Sequence, residues 1–157
     1  MAAIASLYGD EVILASVNGD ASTDKDDEFA ERLSGLLTHI YAPPHFPSGE
    51  HKILLPMKHR SKVEWVQHYL MTGGSAAMLQ RSTSCYHPEH WQCGVCKACI
   101  RKWVALEANG VMTTGWRQHP STFDWAPLFS KIQDRKWRCD AEDAATEYIL
   151  RKYGVMK

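Results

Sequence analysis

Cys85-Tyr-His-Pro-Glu-His-Trp-Gln-Cys93-Gly-Val-Cys96-Lys-Ala-Cys99 places four of the chain's five cysteines within fifteen residues, at C-x7-C-x2-C-x2-C spacing. Thiolates are soft, anionic ligands suited to Zn(II). A C-x2-C step lets a tight turn aim two sulfurs at one ion, and Gly94 supplies the backbone freedom for that turn. Four such ligands close a tetrahedron and leave no coordination position for water. The spacing predicts a structural zinc knuckle over 85–99, held by Cys85, Cys93, Cys96 and Cys99, in which the ion does no chemistry. Two disulfides and an iron–sulfur cluster are the competing readings of the same spacing, and His87 and His90 are alternative ligands inside the loop. Met1 leads straight into an ordinary amphipathic stretch without an export signal, which argues for a reducing compartment and against disulfides. Cys139 is solitary and reads as a core or surface thiol.

The chain around this knuckle has 157 residues, 45% of them apolar, enough for one domain with its own core. Eighteen basic and eighteen acidic side chains cancel, which leaves no general electrostatic footprint for a nucleic-acid backbone or an anionic membrane. No apolar run approaches the roughly 20 residues of a membrane-spanning helix. A soluble, cytoplasmic protein without direct nucleic-acid binding is the expectation.

Upstream of the knuckle the pattern is α/β. Residues 2–8 read as the end of a helix stopped by Gly9, and Glu11 to Val17 is a nearly continuous apolar, β-branched run typical of a buried parallel strand. The acidic loop 18–28 follows at the carboxyl end of that strand, where open α/β sheets bind ligands, although its aspartates also suit the cap of the next helix. Phe29 to Tyr41 carries apolar residues at 29, 33, 36, 37 and 40, a helical period. Lys52 to Pro56 reads as a second short strand. Ser61 then looks like an N-cap with Glu64 at the capping-box position, and Lys58, Arg60 and Lys62 make that helix start a candidate anion site or a solvated basic rim.

Gly73-Gly74 breaks this helix, and the chain enters the cysteine cluster through Arg81-Ser-Thr-Ser84. Ala98 to Ala108 is a predicted helix, stopped at Asn109-Gly110, whose residues 100, 103, 104 and 106 should pack toward the sheet. The tail carries Trp116, Phe123, Trp125, Phe129 and Trp137, aromatic surface that needs cover. Asp140 is the predicted cap of a last helix through Tyr153, ended by Gly154.

These pieces together resemble a family. Thr83-Ser84-Cys85-Tyr86 with Cys93-Gly94-x-Cys96-x-x-Cys99-Ile100-Arg101 is similar to the zinc signature of 7-cyano-7-deazaguanine synthase, the queuosine-precursor member of the PP-loop ATP-pyrophosphatase superfamily. Glu11-Val-Ile-Leu-Ala-Ser-Val-Asn18 looks like that family's strand ending in Val-Asn. Asp24 with Glu28-Phe29 falls at its Tyr-Pro-Asp-Cys-Arg-x-Glu-Phe segment, and Pro56 with Ser61-Lys62-x-Glu64 at its Pro and Ser/Thr-Lys-x-Glu. Order and spacing agree over about residues 2 to 110. Two departures stand out. The family's arginine after Asp-Cys is absent from Ser22-Thr23-Asp24-Lys25-Asp26, and the Ser-Gly-Gly-x-Asp-Ser loop that grips ATP phosphates is nowhere in the 157 residues.

The resemblance implies an adenine nucleotide alpha-hydrolase-like fold, of which this chain holds the C-terminal part of a doubly wound parallel sheet. Residues 1–110 are then the synthase-like half with its zinc knuckle, and 111–157 a helical extension packing on it. It implies ATP-dependent conversion of 7-carboxy-7-deazaguanine and ammonia to the nitrile, with Asp24, Lys62, Thr83 and Tyr86 facing the deazaguanine and phosphate groups. The zinc is structural. ATP and Mg are expected only with a partner chain carrying the missing Ser-Gly-Gly-x-Asp-Ser half. The expectation is thus one subunit of a split synthase; the alternative is a non-catalytic, zinc-stabilised binding or scaffold protein derived from it.

Overall fold

Glu11–Ile13 (β1) and Lys52–Leu54 (β2) pair in parallel, Val12 opposite Ile53, and one helix, Asp27–Ile40 (α1), connects them. The computed structural model describes residues 9–19, 26–41, 50–87, 89 and 91–157. The predicted helix over 2–8 lies outside these residues. The fold is α/β, with this small parallel sheet and six helices among the described residues. It divides into two units, Met1–His59 and Arg60–Lys157. The boundary expected at residue 110 marks where the family resemblance ends.

In the first unit both strands are shorter than their apolar runs. The Leu14 amide still reaches the Leu54 carbonyl at 3.0 Å, but the Ser16 amide turns back to the Leu14 carbonyl at 2.9 Å, which bends the chain out of the ladder. Helix α1 begins two residues before the predicted start because Asp26 caps it, its carboxylate accepting from the Phe29 amide at 2.8 Å. The predicted apolar face is also rotated. Ala30 and Leu37 are buried against Val12 and Ile53, while Leu36 and Ile40 are about half exposed. The rotation follows from two hydroxyls one turn apart: Ser34 and Thr38 accept from the Ile53 and His51 amides, each at 2.9 Å. Those amides alternate with Lys52, whose own amide goes to Asp10 across the ladder, so α1 satisfies the outer edge of β2.

The second unit is helical. Lys62–Met71 (α2), Ala76–Arg81 (α3), Lys97–Glu107 (α4), Phe129–Gln133 (α5) and Asp140–Lys152 (α6) follow in order. Helix α4 is at its centre and is buried on nearly every side, including Ile100, Trp103, Val104 and Leu106. These residues were expected to face a sheet. No strand occurs among the described residues of this unit, and α4 packs instead between α2 and α6. The tail's aromatics find their cover here: Trp125 is fully buried beside Trp103 and Ile149, with Trp116, Phe123, Phe129 and Trp137 packed around them. Two helix ends match their sequence signals, since Gly110 after α4 and Gly154 after α6 both take positive φ. In each case the next amide, Val111 or Val155, reaches back to a carbonyl five residues earlier, Leu106 or Leu150. The start of α6 corrects its prediction. Cys139 occupies the N-cap without a side-chain capping bond, and Asp140 is the first helical residue.

Candidate metal centre and its surroundings

The four knuckle cysteines converge. Their sulfurs all lie within 4.8 Å of one another, and Cys93 and Cys99 are 3.9 Å apart at Sγ. A tetrahedral ion with Zn–S bonds of about 2.3 Å holds its sulfurs about 3.8 Å apart, while a disulfide would bring a pair to about 2 Å. No disulfide joins any of the five cysteines, and the donor set and spacing of the four clustered ones fit one metal ion such as zinc. His90 lies outside the described residues. His87 donates its backbone amide to Cys85 Sγ at 3.5 Å and places its ring 3.6 Å from the Glu89 carboxylate.

Local chain geometry explains the convergence. Cys85 lies in the irregular segment after α3, Cys93 and Gly94 form the knuckle turn, Cys96 is the N-cap of α4, and Cys99 is in the first turn of that helix. The Cys93 amide points at Cys85 Sγ at 3.5 Å and the Cys96 amide at Cys93 Sγ at 3.3 Å. Gly94 has φ +82°, and a Cβ placed on it would sit 1.7 Å from the Gln118 carbonyl oxygen. Only glycine meets both demands. Residues 117 and 118 pass this close because their amides donate to the Gln92 and Cys93 carbonyls, at 2.9 and 3.2 Å. The tail beyond residue 110 is therefore built into the knuckle.

Electrostatics divide the four thiols. Burial pushes Cys93 and Cys99 up. At Cys85 burial is outweighed by the amides of Cys93 and His87, which draw the thiol down. At Cys96 it is outweighed by the amides of Tyr86 and Cys99 together with neighbouring thiols, which bring it to about 7. The surroundings thus favour the thiolate at Cys85 and Cys96 and the thiol at Cys93 and Cys99, and a bound cation would favour the thiolate at all four.

The remaining sequence-derived residues are scattered in character. Asp24 lies outside the described residues. Lys62 is the first residue of α2 and is half-buried. Thr83 and Tyr86 flank Cys85 and are exposed, Tyr86 by 72%. The capping box at the start of α2 is complete: the Ser61 amide donates to the Glu64 carboxylate at 2.7 Å and the Glu64 amide to Ser61 Oγ at 3.2 Å. These Ser61 bonds lower the Glu64 pKa. An anion at this helix start meets a carboxylate already in place. Lys58, read as part of the same basic rim, pairs with Asp27.

Three charged residues of α4 have partners that the sequence reading did not assign. Arg101 makes a two-pronged ion pair with the buried Glu142, at 2.6 and 3.0 Å. Glu107, buried, accepts from the Thr113 amide and from Lys152, both at 3.2 Å. Lys102, 4% exposed, donates to the Gln80 and Ser82 carbonyls and to Gln92 Oε1. Burial pulls its pKa down, and the nearby Cys99 works in the opposite direction. A signal was present: α4 is apolar on more than one face, and a charge in such a helix must find a buried partner. Beside the knuckle a cavity of about 470 Å³ is lined by His87, Glu89, Cys93, Val95, Arg117 and Gln118. No described helix is long and apolar enough to cross a membrane.

A family model described as queuosine biosynthesis protein QueC matches residues 2–110, which include β1, α1, β2, the capping box and all four clustered cysteines. No curated protein and no solved structure matches the chain. With more than two thirds of its length matched by that model, the chain belongs to the QueC family of queuosine biosynthesis proteins.

Proposed function

We propose that this chain is one subunit of a split 7-cyano-7-deazaguanine synthase, in which ATP-dependent conversion of 7-carboxy-7-deazaguanine and ammonia to the nitrile is completed by a partner chain. Family membership supports synthase-type chemistry. The observation that carries the synthase reading is that the family match spans the strand–helix–strand unit and the cysteine cluster; the Ser-Gly-Gly-x-Asp-Ser loop is assigned in this proposal to a second polypeptide. ATP and Mg belong in this reading to the partner, and the cysteine cluster takes a structural zinc through Cys85, Cys93, Cys96 and Cys99. When bound, that ion cross-links the knuckle and offers no open position for substrate. Asp24, Lys62, Thr83 and Tyr86 are the proposed contacts to the deazaguanine and its carboxylate.

The same reading gives the sheet a direction of growth. The outer edge of β2 is taken by the hydroxyls of Ser34 and Thr38, so the additional strands of a doubly wound sheet join at β1, where Ile13 is 65% exposed. The alternative, a zinc-stabilised binding protein without catalysis, is favoured by one observation. The start of α2, read as a candidate anion site or a solvated basic rim, carries its own carboxylate from Glu64.

The test is purification of the chain alone and with a polypeptide bearing the missing loop, followed by mass-spectrometric assay of ATP-dependent nitrile formation. Turnover only in the mixture, with about one zinc per chain, is expected. Turnover by the lone chain refutes the split, and a folded, zinc-loaded chain that gains no activity from any such polypeptide leaves the binding-protein reading.

A further inference from the structure

We infer that Lys102 is a positioning residue for the metal centre: its buried ammonium clamps the two segments that deliver Cys85 and Cys93 and balances the negative charge of the thiolate cluster. The inference rests on the zinc reading above, since four thiolates around a divalent ion carry two surplus negative charges. Two of the four ligands, Cys93 and Cys99, are buried, so water screens that charge poorly. Lys102 follows Cys99 by one helical turn on α4 and is itself buried.

Its three acceptors decide what it holds. Gln80 at 3.0 Å and Ser82 offer carbonyls from the end of α3 and the residue after it, the stretch that runs into Cys85. Gln92, at 3.1 Å, immediately precedes Cys93. An ammonium has three donors, and each is used here. A buried cation is costly unless fully bonded and compensated, and this one is fully bonded while standing beside a cluster that needs a cation. Metal ligands commonly depend on such outer contacts, and losing one lowers affinity by roughly 10- to 100-fold. Helix dipole adds to the same field, because Cys96 and Cys99 lie at the N-terminal end of α4.

The experiment compares the full-length chain with Lys102→Met, which removes charge and donors, and Lys102→Gln, which keeps two donors without the charge. Zinc affinity is read by competition with a chromophoric chelator. The order in which cysteines react with iodoacetamide in the presence of zinc is read by peptide mass spectrometry. The expected result is a loss of zinc affinity of roughly 10-fold or more in both variants, with Cys85 and Cys93 alkylated before Cys99. A merely structural lysine would lower the melting temperature without changing that order. Should both variants fail to fold, Gln92→Leu removes one acceptor and leaves the lysine in place. The same early alkylation of Cys93, at a smaller affinity loss, is expected there. Unchanged zinc affinity in any folded variant overturns the inference. A wild-type chain that holds no zinc removes the metal reading and this one together, whereas tight zinc in wild type and variants alike removes this one alone.

Discussion

The two units of the chain solve the same problem with unequal means. Residues 1–59 gather their core around Val12, Ala30, Leu37 and Ile53, with a two-stranded sheet whose outer strand is finished by two hydroxyls. Residues 60–157 have a helix buried on nearly all sides, a cluster of Trp103, Trp125, Ile132, Ile149 and Leu150, a buried Arg101–Glu142 pair and the four-cysteine site. Among the described residues the first unit buries a core of four side chains, which offsets little chain entropy, whereas the second unit has several independent restraints on the same helix. The difference teaches that the second unit is stapled from within and that the first is the one whose stability has most to gain from added strands.

Removing a metal ion from the four-cysteine site should give the largest effect, confined to one unit. Chelation, or Cys99→Ser, takes away binding free energy that for structural zinc is of the order of 10 kcal/mol in small peptides. Loss of near-ultraviolet circular dichroism from the Trp103–Trp125 cluster is expected, with amide exchange rising along α4 and unchanged in β1 and β2. Equal loosening of both units would break the comparison.

What the sequence made legible follows the same division. The knuckle was readable because ligand spacing is a local property, and so were the capping box at Ser61 and the glycine stops after α4 and α6. The sheet-facing role expected of α4 was not, because apolar residues at 100, 103, 104 and 106 fit a sheet or two helices equally well. Apolar periodicity placed Leu33 and Leu37 on the inner face of α1 but wrongly added Leu36 and Ile40. It weighed Leu36 and Ile40 and took no account of Ser34 and Thr38, whose hydroxyls are needed by backbone amides 19 and 13 residues away. The role of Lys102 needed three acceptors from two distant segments, and no spacing rule carries that.

A middle-sized effect should come from Gly94→Ala, with Gly73→Ala as its control. Both glycines have positive φ, 82° and 88°, so both substitutions incur about 1–2 kcal/mol of backbone strain. Nothing lies within 4 Å of a Cβ at Gly73, whereas one at Gly94 meets the Gln118 carbonyl. A denaturant midpoint lowered clearly further for Gly94→Ala, together with lost exchange protection at the Arg117 and Gln118 amides, is expected. Equal losses in the two variants would mean that the tail adds nothing to the knuckle.

The smallest effect sharpens the description of the first unit. Ser34→Ala and Thr38→Val each remove the acceptor of one β2 amide, Ile53 or His51, and an unpaired amide costs about 1–3 kcal/mol when it stays buried. His51 and Ile53 are both buried as residues, so solvent can replace the hydroxyl only if the edge opens. Each single variant should therefore lose about 1 kcal/mol, read as faster exchange at the affected amide. The pair should do more than add, because the two hydroxyls sit one turn apart on the same face of α1 and share one edge. An opened β2 edge is also a template for another strand, so the double variant should self-associate on size exclusion while its zinc content stays at the wild-type level. Slower exchange, or a fall in zinc content matching the fall in stability, would show that the edge of β2 is not what those hydroxyls protect.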